Sequence, residues 1–249
     1  MSEHIRTERH GAVLHVTMAR PEKKNALTGA MYDAMTAALN EADRDDTLRC
    51  VLIQGSGGSF SGGNDIGDFL AGARGPHDPP SLRFIKTIAA CRTPLVAAVE
   101  GVAVGVGTTM LLHCDLAYAA PDAMFRMPFV DLGLVPEAAS SLLVPELTGM
   151  KKAVELLMLA EPFGAAEAAR LGFVNAVVPA AELHAFAAAR AQVLAAKPPG
   201  ALAATRRLLR GDPARIAARI SEESVAVAAA LASPEAREAF MRFMSRGKK

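Results

Sequence analysis

Apolar and polar positions along this chain switch repeatedly between strand-like and helical spacing. Val13-Leu14-His15-Val16 alternates weakly and predicts a strand, which Arg20-Pro21 ends. Thr28 stands at the N-cap of a predicted helix from Gly29 to Ala42, whose apolar residues recur at helical spacing. Cys50 to Gln54 is an unbroken apolar run closed by Gly55, the pattern of a buried strand, and a Gly/Ser-rich loop follows to Gly63. Ser81 to Cys91 returns to helix, Pro94 to Val99 predicts a third strand, and another helix begins near Gly105. Asp115 to Ala119 and Ala123 to Met127 are strand-like, whereas beyond Pro136 helices dominate, with one strand at Val174 to Val178. Pro179 to Met244 is almost wholly helical, with Pro198-Pro199 and Pro213 marking helix starts. Strand, glycine turn and helix thus recur, which predicts an α/β fold with a mainly parallel sheet. We read a core over residues 1–180 and a helical region over 181–249. The apolar faces of that region exceed what one chain buries, so self-association is expected.

Composition narrows the classes of function. Half of the 249 residues are hydrophobic (51%), aromatics are 5% and Trp is absent, so Ala, Leu and Val must fill the interior. A net charge of +1 gives no reason to expect nucleic acid or an anionic membrane as partner. The charged N-terminus has no signal-peptide pattern, and the apolar run from Pro94 to Leu112 is interrupted by Glu100. Three scattered cysteines (Cys50, Cys91, Cys114) predict a reduced, cytoplasmic chain, and neither they nor the histidines have metal-ligand spacing. The Pro-rich stretch Ala71 to Pro80 is expected to be mobile. The terminal Gly247-Lys248-Lys249 differs from a peroxisomal address.

Two glycine-bearing segments carry the candidate chemistry: FSGGNDI from Phe60 and GVAVGVGTTMLLHCD from Gly101. Together they read as an oxyanion trap, with one unpaired backbone N–H from Gly62 in a tight turn and one from Val106 in the first turn of an apolar helix. The first lacks the order and the Lys of a phosphate-binding loop. The second lacks the acidic residue that a dinucleotide site needs about twenty residues on. Taken alone, the first segment reads as a flexible turn and the second as close helix–strand packing through glycine.

Joined to RPEKKNAL (Arg20 to Leu27), the ARLGFVNAVVP stretch and the closing ASPEAREAFMRFMSR, these segments resemble the crotonase (enoyl-CoA hydratase/isomerase) superfamily nearly end to end. The resemblance implies a spiral of ββα units with a C-terminal helical trimerisation region, assembled as a homotrimer or a hexamer. It implies an acyl-CoA thioester as substrate, with coenzyme A part of that substrate and no separate cofactor. It assigns Gly62 and Val106 as the oxyanion donors and places substrate contacts at Lys24, Asn25, Ala26, Gly63, Asn64, Asp65, Ile66 and Phe129.

The proton-moving group follows from the same resemblance. A hydratase of this superfamily uses two glutamates, whose positions here are Thr109 and Phe129; neither is an acid at neutral pH. Glu137, in LVPEAASS, reads by itself as a residue capping the first turn of a helix behind Pro136. The resemblance to the Δ3,Δ2-enoyl-CoA isomerase branch makes Glu137 the single catalytic carboxylate instead, with a pKa raised towards about 6–7 in an apolar pocket. Asp131 is the alternative acid. Glu100, Asp115 and His113 are expected to be structural, Asp65 to cap a helical turn, and Lys23, Lys24 and Arg83 are candidates for meeting coenzyme A phosphates. The competing readings are another activity of the superfamily, hydration or thioester hydrolysis, and a catalytically silent acyl-CoA-binding trimer. The acyl chain length accepted depends on the loop from Phe69 to Ser81.

Overall fold

The computed structural model describes residues 2–68 and 78–246. The expectations placed on residues 69–77 and on Gly247 to Lys249 lie outside the described residues. In chain order the strands are β1 (Ile5–His10), β2 (Val13–Met18), β3 (Cys50–Gly55), β4 (Leu95–Val99), β5 (Val102–Val104), β6 (Leu116–Ala119), β7 (Met124–Arg126), β8 (Phe163–Gly164) and β9 (Ala176–Val177). The helices are α1 (Gly29–Arg44), α2 (Pro80–Ala90), α3 (Val106–Thr109), α4 (Ser140–Thr148), α5 (Met150–Leu157), α6 (Ala165–Leu171), α7 (Leu183–Ala195), α8 (Pro199–Arg210), α9 (Pro213–Leu231) and α10 (Pro234–Arg246).

One sheet runs β1-β2-β3-β4-β6-β9, parallel throughout except for the antiparallel edge pair β1–β2. Its central strands are unbroken apolar runs because both faces are covered. Along β4, Leu95, Ala97 and Val99 enter the main core, while Val96 and Ala98 face the opposite layer. That layer is α7, whose Leu183, Ala187, Ala191 and Ala195 recur every four residues and lie on the sheet. The C-terminal helical region therefore packs on the sheet through its first helix, and Ala236 and Phe240 of its last helix enter the main core. Strand β1 escaped the sequence pattern because IRTERH is an edge strand with little to bury.

A second sheet, β5-β7-β8, positions the site. Its strands are two or three residues long; β7 lies inside the strand-like run Ala123 to Met127, while β5 and β8 are too short to register as periodicity. The loop after β3 runs alongside β5, with the Ser61 N–H donating to the Val102 carbonyl and the Val104 N–H to the Ser61 carbonyl, both at 2.9 Å. Beyond β5 the expected apolar helix is a single turn, α3, continued by a 3-10 turn over Met110–His113. Among the described residues no helix is long and apolar enough to cross a membrane.

Candidate active site

The loop following Arg20 is held by Asn25, which is fully buried. Its Nδ2 donates to the carbonyls of Ser56 (2.9 Å) and Ser59 (2.7 Å), and its Oδ1 accepts from the Arg20 amide (2.7 Å). With every side-chain polar atom committed inside the protein, Asn25 is a staple between two loops. Lys24 and Asn25 both take left-handed backbone (φ 50° and 53°), which turns the Lys24 carbonyl toward the glycine loop. There it accepts the Gly62 N–H at 2.7 Å. Gly62 is thereby removed as an oxyanion donor, because its single proton is already used.

The neighbouring glycines join this loop to α3. Gly63 has φ 86°, and a Cβ there would lie 2.7 Å from the Val104 carbonyl oxygen. Gly107 is as tightly placed, since its Cβ would come 2.8 Å from the Ser61 carbonyl oxygen. These two glycines let the loop and α3 touch backbone to backbone. On the segments so joined, the N–H groups of Asn64 and Val106 have no acceptor among the described residues. The Asn64 side chain accepts the Tyr32 hydroxyl proton, so that residue is fixed from α1. Tyr32 had no signal in the sequence beyond its place on the buried face of a helix. Asp65 ends the loop. Burial pushes its carboxyl up, but the Arg20 guanidinium at 2.8 Å and the Asp68 amide at 3.1 Å outweigh this and hold it below the usual range. The expected cap on the helical turn beginning at Ile66 is present in the second of these bonds. Ala26 and Lys24 remain at the mouth of this loop, Lys24 exposed and Ala26 half-buried. Arg83 is paired with Asp33 at 2.7 Å.

Glu137 precedes α4 by three residues and belongs to no helix, so the helix-capping reading of Pro136-Glu137 does not hold. Its Oε1 accepts the Thr109 hydroxyl at 2.5 Å. Burial lifts its carboxyl to about 7; the Thr109 hydroxyl works in the opposite direction, and Glu223 adds to the rise. The side chain is only partly accessible, and it acts on Tyr32 electrostatically. Position 109, where the resemblance leaves a carboxylate missing, thus supplies a hydroxyl that grips the carboxylate from position 137. Phe129 is buried in the main core cluster. Asp131, the alternative acid, is ion-paired to Arg126 at 2.7 Å on the surface.

The chemistry of this arrangement is a desolvated carboxylate near two unpaired amides, and it meets a consistent set of relatives. Residues 8–249 match the family described as enoyl-CoA hydratase/isomerase. The chain belongs to this family. Among its relatives, enoyl-CoA delta isomerase 2 of Rattus norvegicus is 34% identical over 252 residues, covering 98% of this chain and 64% of the relative. This chain therefore spans less than two thirds of the rat protein. A Rhodobacter capsulatus protein named "probable enoyl-CoA hydratase" is 37% identical over 213 residues, covering 83% of this chain and 81% of the other. The solved structure of Pseudomonas aeruginosa OdaA superposes with a TM-score of 0.94 at 42% identity, over 98% of this chain and 99% of that one. The α/β architecture with a helical C-terminal region is accordingly the crotonase fold. Isomerases and hydratases both stand among the family members it is similar to.

Asp115, Glu100 and His113 each have partners inside the protein. Asp115 accepts the Leu95 amide at 2.8 Å and the Arg206 guanidinium at 2.7 Å. Glu100 lies 3.3 Å from the His184 ring. His113 is buried with its Nε2 at 2.9 Å from the Ala138 carbonyl, and burial lowers its pKa to about 4, so the ring is neutral. A carbonyl only accepts, hence Nε2 carries the proton. The shallow hollow lined by Ala37, Asn40, Glu41, Arg44 and Asp45 contains none of the site residues.

Proposed function

We propose that this protein is a Δ3,Δ2-enoyl-CoA isomerase with Glu137 as its single base. The observation that carries the reading is the Glu137 carboxyl itself: desolvated, poised at about 7 and bonded to Thr109, with Phe129 where a hydratase would need its second acid. A base works best when its pKa lies near the operating pH. In the reaction, the Glu137 carboxylate removes a proton from C2 of a 3-enoyl thioester. The released electron pair spreads over the thioester carbonyl and C3–C4, and the oxygen of the dienolate takes the charge. The free N–H groups of Asn64 and Val106 are our candidates for meeting that oxygen, replacing the Gly62–Val106 pair; each such donor is typically worth about 2.7–4 kcal/mol. Glu137 then returns its proton to C4, leaving the double bond at C2–C3. No water takes part, and an apolar wall such as Phe129 would help exclude it.

The acyl-CoA would enter past Lys24, Ala26 and Ile66. Assembly as a trimer or a dimer of trimers is part of this proposal, supported by α8, which buries none of its residues in one chain. The test supplies 3-enoyl-CoA and 2-enoyl-CoA separately. The expected result is a shift of the double bond to C2 from the first and no 3-hydroxyacyl-CoA from the second. Glu137→Gln should lower kcat by about 10²–10⁴-fold with little change in substrate affinity. Formation of 3-hydroxyacyl-CoA would favour a hydratase, and an unchanged rate in Glu137→Gln would remove Glu137 as the base.

A further inference from the structure

Directly after Glu137 the backbone does something that alanine resists. Ala138 and Ala139 lie in succession in the left-handed region (φ 59° and 57°), and both are buried. Each such residue costs of the order of 1 kcal/mol or more unless its surroundings impose it. No side chain of the turn itself does so. Ala139 is the N-cap residue of α4 and has no side-chain oxygen, so the first amides of that helix lack the usual cap.

The missing acceptor arrives from α9, more than eighty residues away in sequence. Glu223 is 6% exposed, and its Oε2 accepts the Ala139 amide at 2.6 Å. Its Oε1 accepts both the Ser141 amide (2.9 Å) and the Ser141 hydroxyl (2.5 Å). From the other side the neutral His113 ring holds the Ala138 carbonyl at 2.9 Å, and the Ser140 amide closes the turn onto the Glu137 carbonyl at 3.0 Å. The turn is therefore clamped between the C-terminal helical region and the 3-10 turn that follows α3. Glu137 leaves this clamp with its carboxylate on Thr109, which belongs to the same α3 segment.

Resting on the reading of Glu137 as the base, we infer that Glu223 is a positioning residue for the reaction. It caps α4 across the fold and holds the Ala138–Ala139 turn, so that Glu137 is aimed at the substrate carbons. A carboxylate suits this task because it accepts from several donors at once, and a negative charge is favourable at the start of a helix. The same charge opposes ionisation of Glu137. The groups facing Glu137 are the Thr109 hydroxyl, the Tyr32 phenol and Glu223. Those facing Glu223 are Arg219 on its own helix, itself 3.2 Å from Glu222, and the bonded residues of α4. His113 stays neutral throughout the working range.

Glu223→Gln tests this, because an amide keeps the shape but presents N–H to one of the donors. The variant should bind acyl-CoA with KM within twofold of the parent while kcat falls about 10- to 100-fold, the scale of a small misplacement of a reacting group. The acid limb of its kcat–pH profile should move to lower pH, since a nearby negative charge has gone. Adding Ala139→Gly, which relaxes the left-handed backbone, should restore several-fold of the lost kcat. An unchanged kcat would overturn the inference. So would parallel losses of kcat, substrate affinity and melting temperature with no shift of the pH limb, the signature of a merely structural residue. Hydrogen exchange at the Ala139 and Ser141 amides reads the clamp without catalysis: faster exchange in Glu223→Gln supports it, and unchanged exchange defeats it. Glu137→Gln run alongside separates the two ideas. If that variant keeps full activity, the base assignment fails, and the exchange data alone judge the clamp.

Discussion

Glu137 ionises in surroundings that disfavour its charge, and this links catalysis to stability. A carboxyl raised from 4.5 to about 7 in the folded protein binds its proton more tightly there than in the unfolded chain. Stability must then fall as pH rises from about 4.5 to 7 and stay reduced above that. Glu137→Gln removes this loss while keeping an acceptor for Thr109. Its unfolding free energy should match that of the parent near pH 4–5 and exceed it at pH 8 by on the order of 3 kcal/mol. Denaturant titrations at the two pH values check this, and an equal gap at both would refute it. Thr109→Val should move the pH limb of the rate in the direction opposite to Glu223→Gln. The Thr109 hydroxyl favours the carboxylate, so without it the Glu137 pKa rises and the acid limb of the pH–rate profile moves upward. Activity should drop near pH 7 and recover near pH 9. In sequence, Glu137 stood out only through the family resemblance, its neighbours reading as a helix start; the hydroxyl that holds it gave no signal, because 28 positions separate the pair.

Among the local elements, the glycine loop divides what sequence could and could not assign. The motif FSGGNDI marks a tight turn, but it does not tell which of its amides stays free. That depends on Lys24, whose carbonyl takes the Gly62 proton only because Lys24 and Asn25 are left-handed. The same geometry ranks the two glycines. Gly63→Ala places a Cβ on the Val104 carbonyl at positive φ and should cost about 1–3 kcal/mol, with a loss of kcat as the loop moves off β5. Gly62→Ala meets its nearest atom at 3.4 Å without positive φ and should be tolerated better. Melting curves of the two variants test that order. The Pro136-Glu137 dipeptide carries a similar lesson. Proline followed by Glu is sound helix-start chemistry, yet α4 begins only at Ser140, because the acceptor that caps it comes from α9.

At the scale of the whole molecule, α8 leaves Leu208 and Leu209 80% and 83% exposed. If that face joins copies of the chain, the parent should sediment as a multiple of 26.0 kDa and Leu208→Glu/Leu209→Glu as a monomer. A monomeric parent would dismiss the idea. By itself the sequence determined the long elements: α1 with its Thr28 cap, the buried runs of β3 and β4, and the proline-started helices α8 and α9. It also determined the family, through motifs spread along the chain. Such features are local, set by periodicity, capping and turn chemistry within a few residues. Tertiary structure alone decided which amides remain unpaired, that Asn25 is a staple, and that Glu137 sits between Thr109 and the reach of Glu223. Those outcomes depend on hydrogen bonds between residues tens of positions apart, and each backbone donor has only one proton to give.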